Sequence, residues 1–230
     1  MSNSVRKGVS VVKVGHKKYR IIWPRLITAI AILVALCILL GFGIHHVFSS
    51  SVRTNASSEL NKRSLDFVCS TAETTAKQAI HTQAVARLYN SNVPMVRTAN
   101  AEVGNKGGKK YWKWCGFSYP VAWCGCFISW CADKNGYIKS KQLQEFYYVP
   151  NGVNWFKTKK RWKNAKYIPQ AGDIIFFQKD NDGIGDHVGI VAGCYDGRVY
   201  TIEGNRKDKC IRANYSLKSD QILGYGIYKK

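Results

Sequence analysis

The C-terminal part of the chain is expected to be an α+β domain, with helices packed on an antiparallel sheet. Three observations predict it. Residues 121–135 place Cys124, Phe127, Ile128, Cys131 and Ala132 at helical spacing. Short apolar or alternating runs then follow at 173–178, 187–192, 198–202 and 225–228, each punctuated by Gly, Asp or Asn. Between two of those runs stands Asp196-Gly197, a strong signal for a tight hairpin. Helices first and hairpin-linked strands afterwards make an α+β order rather than a parallel βαβ order. No internal repeat or low-complexity tract interrupts it.

Ahead of this domain the texture differs. Residues 26–44 are uncharged and contain no Asn, Gln or Pro. As a helix these residues would be about 28 Å long, close to the hydrocarbon thickness of a bilayer. Pro24 stands where a helix start tolerates it, and Tyr19 and Trp23 suit the interface. A cleaved signal peptide is the rival reading, with Ser49 and Ser51 as a weak cleavage site. The apolar run and its basic leader are both long for that, so a retained transmembrane helix is favoured. Arg6, Lys7, Lys13, Lys17, Lys18, Arg20 and Arg25 precede it with no acid among them, so residues 1–25 read as a basic cytoplasmic tail. The positive-inside rule puts everything after about residue 45 outside the membrane. The expected localisation is therefore a single-pass membrane protein with its C-terminal domain extracytoplasmic.

Residues 56–90 read as one helix, either a stalk (residues 45–96 as a whole) or a helix laid against the domain. The segment 90–108 breaks the pattern and marks the boundary, with the domain proper at 97–230.

The formal charge is +21, from 35 Lys and Arg against 14 Asp and Glu. Such a balance speaks of partners, not of fold, and suits nucleic acid, anionic lipid or an anionic cell wall. The external placement of the domain excludes nucleic acid among these. Eight cysteines lack zinc-ribbon spacing, so no structural metal is expected. Disulfides are open to an exported domain, with no pairing legible.

Cys124 begins the helix of residues 121–135. A helix start supplies positive potential and free N–H groups, which favour a thiolate and would cradle an oxyanion. A buried, inert thiol is the plain alternative. The other histidines (His16, His45, His46 and His81) precede the domain, leaving His187 as its candidate base. It opens a strand in which Gly189 leaves space near the imidazole. Glu203, on the next strand, is placed to orient that imidazole, and Asn205 is a second candidate. A turn is the simple reading of Gly204-Asn205. Aromatic residues such as Tyr111, Trp112, Trp114, Trp155 and Trp162 are interleaved with lysines and Arg161. Core aromatics beneath a solvated basic surface are slightly favoured over a groove for an anionic polymer. For such a groove, Trp112, Tyr119 and Trp123 are the expected substrate contacts.

At this point the residues resemble a family. Residues 122–132 (AWCGCFISWCA) look like the nucleophile helix of CHAP domains, the cysteine, histidine-dependent amidohydrolases/peptidases. Residues 169–177 (PQAGDIIFF), 186–191 (DHVGIV), 202–205 (IEGN) and 224–226 (GYG) resemble their core strands in the same order. The resemblance covers about residues 97–230. It implies a papain-like fold and hydrolysis of peptidoglycan amide bonds, as an endopeptidase or an N-acetylmuramoyl-L-alanine amidase. It maps the nucleophile to Cys124, the base to His187, the orienting acid to Glu203 and a supporting amide to Asn205. Cys126 and Cys131 lie off the motif position. Some members bind calcium through acids just before the nucleophile; residues 103–132 here hold none, so no calcium and no other cofactor are expected. The expected partners are peptidoglycan and the membrane, and the tethered layout suits a local gap for a secretion or conjugation apparatus. Two other classes stay open: a wall-binding module with a dead site, and a cysteine amidase or transferase on a non-wall substrate.

Overall fold

The computed structural model describes residues 9–14, 17–22 and 54–228. The chain divides into two units, Met1–Thr71 and Ala72–Lys230. The first holds an antiparallel hairpin of β1 (Val9–Val14) and β2 (Lys17–Ile22), running from Val9↔Ile22 to Val14↔Lys17. This hairpin lies within residues 1–25, which the sequence predicts as a basic cytoplasmic tail. Val9, Val11, Lys17, Tyr19 and Ile21 are nonetheless β-type residues or their neighbours at period two. Among the described residues no helix is long and apolar enough to cross a membrane. The expected span at 26–44 lies outside the described residues.

Helix α1 (Thr54–Tyr89) begins in the first unit and ends in the second. Its final turns are part of the domain. Tyr89 is buried and its hydroxyl donates to the Ala213 carbonyl at 3.0 Å, while Val85 and Leu88 pack on the core. Short helices follow: α2 (Pro94–Ala101) and α3 (Lys109–Trp114). Within the segment expected as a boundary, Met95, Val96 and Ala99 of α2 are fully buried. Pro94 starts that helix, where its missing N–H costs nothing.

Helix α4 (Cys124–Lys134) is the centre of the domain. Every residue from Cys124 to Ala132 is buried, so the helix is enclosed on all sides. Helix α5 (Val149–Thr158) packs beside it. Five strands then complete the sheet with β3 (Trp162–Asn164): β4 (Ile174–Phe177), β5 (His187–Tyr195), β6 (Arg198–Arg206), β7 (Lys209–Ser216) and β8 (Ile222–Gly226). The order is β3-β8-β4-β5-β6-β7, with every neighbour antiparallel. This is the α+β arrangement that the sequence predicts.

Period-two alternation splits the sheet between two cores. Ile174, Phe176, Val188, Ile190 and Ile202 join the helices. Ile175, Phe177, Val191, Val199, Tyr215 and Tyr225 form a second cluster on the opposite face. The β5–β6 turn is Asp196-Gly197, with φ of 49° and 68°, the paired left-handed conformation of a two-residue hairpin.

Candidate active site

The site forms where the start of α4 meets β5 and β6. Cys124 is the first residue of α4 and is 4% exposed. The first turn of that helix has no side-chain cap, so its N–H groups keep their positive potential for another acceptor. Gly204 on β6 permits the approach: a Cβ there would lie 2.6 Å from Phe127 and 2.7 Å from Trp123. The Phe127 and Trp123 side chains therefore pack directly on the strand's backbone at this level.

His187 opens β5, one strand from β6. Its Nε2 hydrogen-bonds to Glu203 Oε2 at 3.0 Å, and its ring stacks on Phe177 with centroids 5.8 Å apart. Cys124 is the other group that acts on the titration of the imidazole. With Nε2 engaged by Glu203, the ring nitrogen left for sulfur is Nδ1. Burial pushes the His187 pKa down, but the hydrogen bonds and charges of Cys124 and Glu203 outweigh it and raise the value to about 9.

Glu203 is completely buried, and it is held as a carboxylate by four partners. Thr201 Oγ1 donates to Oε1 at 2.6 Å, the Tyr215 hydroxyl lies 2.9 and 3.1 Å from the two oxygens, Arg206 Nη1 lies 3.3 Å from Oε2, and His187 closes the set. Burial raises its pKa, yet His187, Thr201 and Tyr215 together bring it below the ordinary carboxylate value. Gly189 serves this carboxylate. A Cβ on Gly189 would come within 2.8 Å of Glu203 Cγ, so the space expected beside the imidazole is filled by the acid's own stem.

Asn205 stands on the irregular end of β6 with φ of 62°, where the β6–β7 register shifts between Glu203 and Arg206. Among the described hydrogen bonds, the dyad's orienting contact is to Glu203 and not to Asn205. The turn reading of Gly204-Asn205 thus describes its backbone.

The other cysteines have different surroundings. Cys126 and Cys131 are fully buried. Burial and the nearby Cys210 push the Cys131 thiol far up, and the mutual influence of Cys126 and Cys115 lowers the pKa of Cys126 and raises that of Cys115. All the cysteines among the described residues are free thiols.

Two of the three expected substrate contacts are corrected. Trp123 is 1% exposed, stacks on Tyr111 at 5.0 Å and donates its indole N–H to Asp208 Oδ1. Trp112 is buried and donates to the Gly107 carbonyl at 3.1 Å. Both belong to the core, since a large ring with its one donor satisfied packs best away from water. Tyr119 is exposed and touches Phe117, which in turn meets Tyr147 edge-on at 5.0 Å. The Tyr147 carbonyl lies against Gly125, the residue after Cys124. Tyr147 and Tyr148 are exposed aromatics that sequence reasoning missed, because their loop carries no periodic signal.

Residues 114–205 match the family model of the CHAP domain, a span that includes Cys124, His187, Glu203 and Asn205. No curated protein matches the chain. Among solved structures, the crystal structure of Ly7917 is similar at 21% identity and a TM-score of 0.38, over 57% of this chain and 59% of that one. A structure of Ly7917 with the hydrolyzing product of MDP gives the same identity and TM-score, over 60% of that chain. This chain thus spans less than two thirds of Ly7917. Over residues 114–205 the chain is thus similar to the CHAP domain.

Proposed function

We propose that the chain is a membrane-anchored peptidoglycan hydrolase that cuts amide bonds through a thioester on Cys124. The observation that supports it most is the 3.0 Å bond between His187 and the buried Glu203, with Cys124 at the start of α4 acting on the same imidazole. Nucleophile, proton carrier and orienting acid stand in the order that acyl transfer to sulfur requires.

In this reading Cys124 attacks a carbonyl of the peptide stem or cross-bridge as its thiolate, the proton resting on His187. The unpaired N–H groups of the first turn of α4 receive the developing oxyanion. His187 gives its proton to the leaving amine as the C–N bond breaks. Water, deprotonated by the now neutral imidazole, then attacks the thioester and returns the thiol. Glu203 keeps the ring in one orientation and stabilises its charged form. Asn205, at the adjoining bulge, supports the backbone from which Glu203 projects.

The location belongs to the same proposal. Residues 26–44 would hold the chain in the membrane with the catalytic domain outside, facing a wall polymer of opposite charge. A tethered enzyme of this kind suits local opening of the wall for a secretion or conjugation apparatus.

The test is digestion of purified peptidoglycan by the full chain in detergent micelles, with Cys124→Ala in parallel and fragments read by mass spectrometry. Fragments released by the wild type alone, with a new amine end, are the expected result, and their masses identify the bond. Equal patterns from both proteins across several wall chemotypes would sink the hydrolase.

A further inference from the structure

The Cys124–His187–Glu203 line does not stop at the carboxylate. Tyr215 lies on β7, the edge strand, and outside the CHAP match at 114–205. Its ring is buried against Phe177 with centroids 4.6 Å apart, and Phe177 is the ring on which His187 stacks. Its hydroxyl sits between both Glu203 oxygens, at 2.9 and 3.1 Å. Arg206, at the end of β6, places its guanidinium over the Tyr215 ring at 5.4 Å and hydrogen-bonds the same phenol oxygen.

The direction of these bonds follows from donor counts. A guanidinium only donates, and a carboxylate only accepts. A phenol has one proton. With Arg206 donating to the phenol oxygen, that proton is free to point one way, at Glu203. Burial and the Glu203 charge raise the Tyr215 pKa, so the phenol stays a donor across the working range. A buried carboxylate with several fixed donors has one preferred orientation, whereas one with fewer rotates or takes up a proton.

We propose that Tyr215 and Arg206 are positioning residues for the reaction: Arg206 orients the Tyr215 hydroxyl, and that hydroxyl holds the Glu203 carboxylate aimed at His187 Nε2. The proposal rests on the Cys–His–Glu reading of the site. Neither residue touches the reacting atoms; both act through Glu203. The groups facing this carboxylate are His187 on β5, Thr201 and Arg206 on β6, and Tyr215 on β7. Cys124 lies beyond His187, and Tyr89 on α1 and Cys210 on β7 feel the Glu203 charge from further off.

The experiment reads Cys124 directly and needs no substrate. The full chain in micelles is alkylated with iodoacetamide from pH 3 to 10, and modification of the Cys124 peptide is followed by mass spectrometry. The acid limb of that profile reports protonation of the pair that holds the thiolate. Tyr215→Phe keeps the ring on Phe177 and removes only the hydroxyl, so the acid limb should move up by about one pH unit, as expected for losing a hydrogen bond to a charged group. Arg206→Met, at a half-exposed side chain, removes the donor to the phenol oxygen together with the 3.3 Å contact to Glu203 and should move it the same way. A uniform loss of rate with no shift of the limb in either variant, or no change at all, would overturn the positioning role. A wild-type profile that His187→Ala leaves unaltered would instead bring down the Cys–His–Glu reading, and this proposal with it.

Discussion

At the scale of single residues, the site combines one exposed need with several buried costs. Cys124 must meet substrate, while Glu203 is fully buried and would be a liability without its donors. Glu203→Gln keeps the shape but replaces the ion by an amide. It should lower kcat/KM on peptidoglycan by about 10²–10⁴-fold, as loss of an orienting carboxylate does elsewhere, with the domain still folded by circular dichroism. Gly189→Ala makes a different error. Its methyl would meet the Glu203 stem at 2.8 Å, so overpacking should cost about 1–3 kcal/mol in thermal unfolding and displace the acid from His187. Activity should therefore fall further than stability alone accounts for. The same residues set the pH response. The folded pKa of His187, about 9, lies above its ordinary 6.5, so its contribution to stability is complete below about 6.5 and is lost as pH rises through 9. Glu203 behaves oppositely, since its folded pKa is depressed from 4.5: its contribution is present above that value and is lost as pH falls through the folded one. Activity should decline on the alkaline side near pH 9, when the leaving amine loses its proton donor, and a kcat/KM profile checks this. An activity flat through pH 10 would remove His187 from the role of acid.

Among the elements, α4 shows what a sequence reveals and what it hides. Its existence, its apolar character and the cysteine at its start were legible, as were the Asp196-Gly197 hairpin and strands β4 to β6, because each carries a periodic or turn signal. Strand β7 was not. Its inward residues include Cys210 and Tyr215, set among Lys, Arg and Asn rather than in a β-branched run. Tyr215, which completes the Glu203 cage, was hidden with it. Helix α2 was missed because eight residues with one Pro show too little periodicity to separate from a loop. Trp112 and Trp123 were legible as aromatics but not as core, since only tertiary packing decides which side of a ring meets water. The loop that follows α4 is coupled to it in a way that no pattern announces. Ser129 Oγ, buried in mid-helix, donates to the Phe146 carbonyl at 2.7 Å and accepts from the Phe146 N–H at 2.9 Å. This one hydroxyl fixes the chain just before Tyr147, whose carbonyl lies against Gly125. Ser129→Ala leaves both backbone groups without a partner and should cost about 2 kcal/mol of stability in denaturant unfolding. Ser129→Thr should cost less if the hydroxyl keeps its place.

At the scale of the whole molecule, charge and tether make separable contributions to where the protein sits. The chain carries +21, and lysines and arginines are spread over the domain as well as the N-terminus. A basic surface adsorbs to anionic lipid and wall alike, and that attraction is screened within about 10 Å at 0.1 M salt and more strongly above it. The uncharged run at 26–44, if it spans the membrane as proposed, would bind by a different force, which salt does not weaken. The two are distinguished by washing membranes from cells that express the full chain or a version lacking residues 1–44. With 1 M salt the shortened protein should leave the membrane fraction, while the full chain should remain until detergent is added. Protease added to intact spheroplasts should then remove the C-terminal domain and spare the N-terminus, because seven basic residues precede the apolar run and the positive-inside rule would put them in the cytoplasm. Release of the full chain by salt alone would mean that charge, and not a span, holds it. The catalytic domain would then reach the wall by adsorption, and the rate on wall fragments would fall with ionic strength in both versions to the same degree.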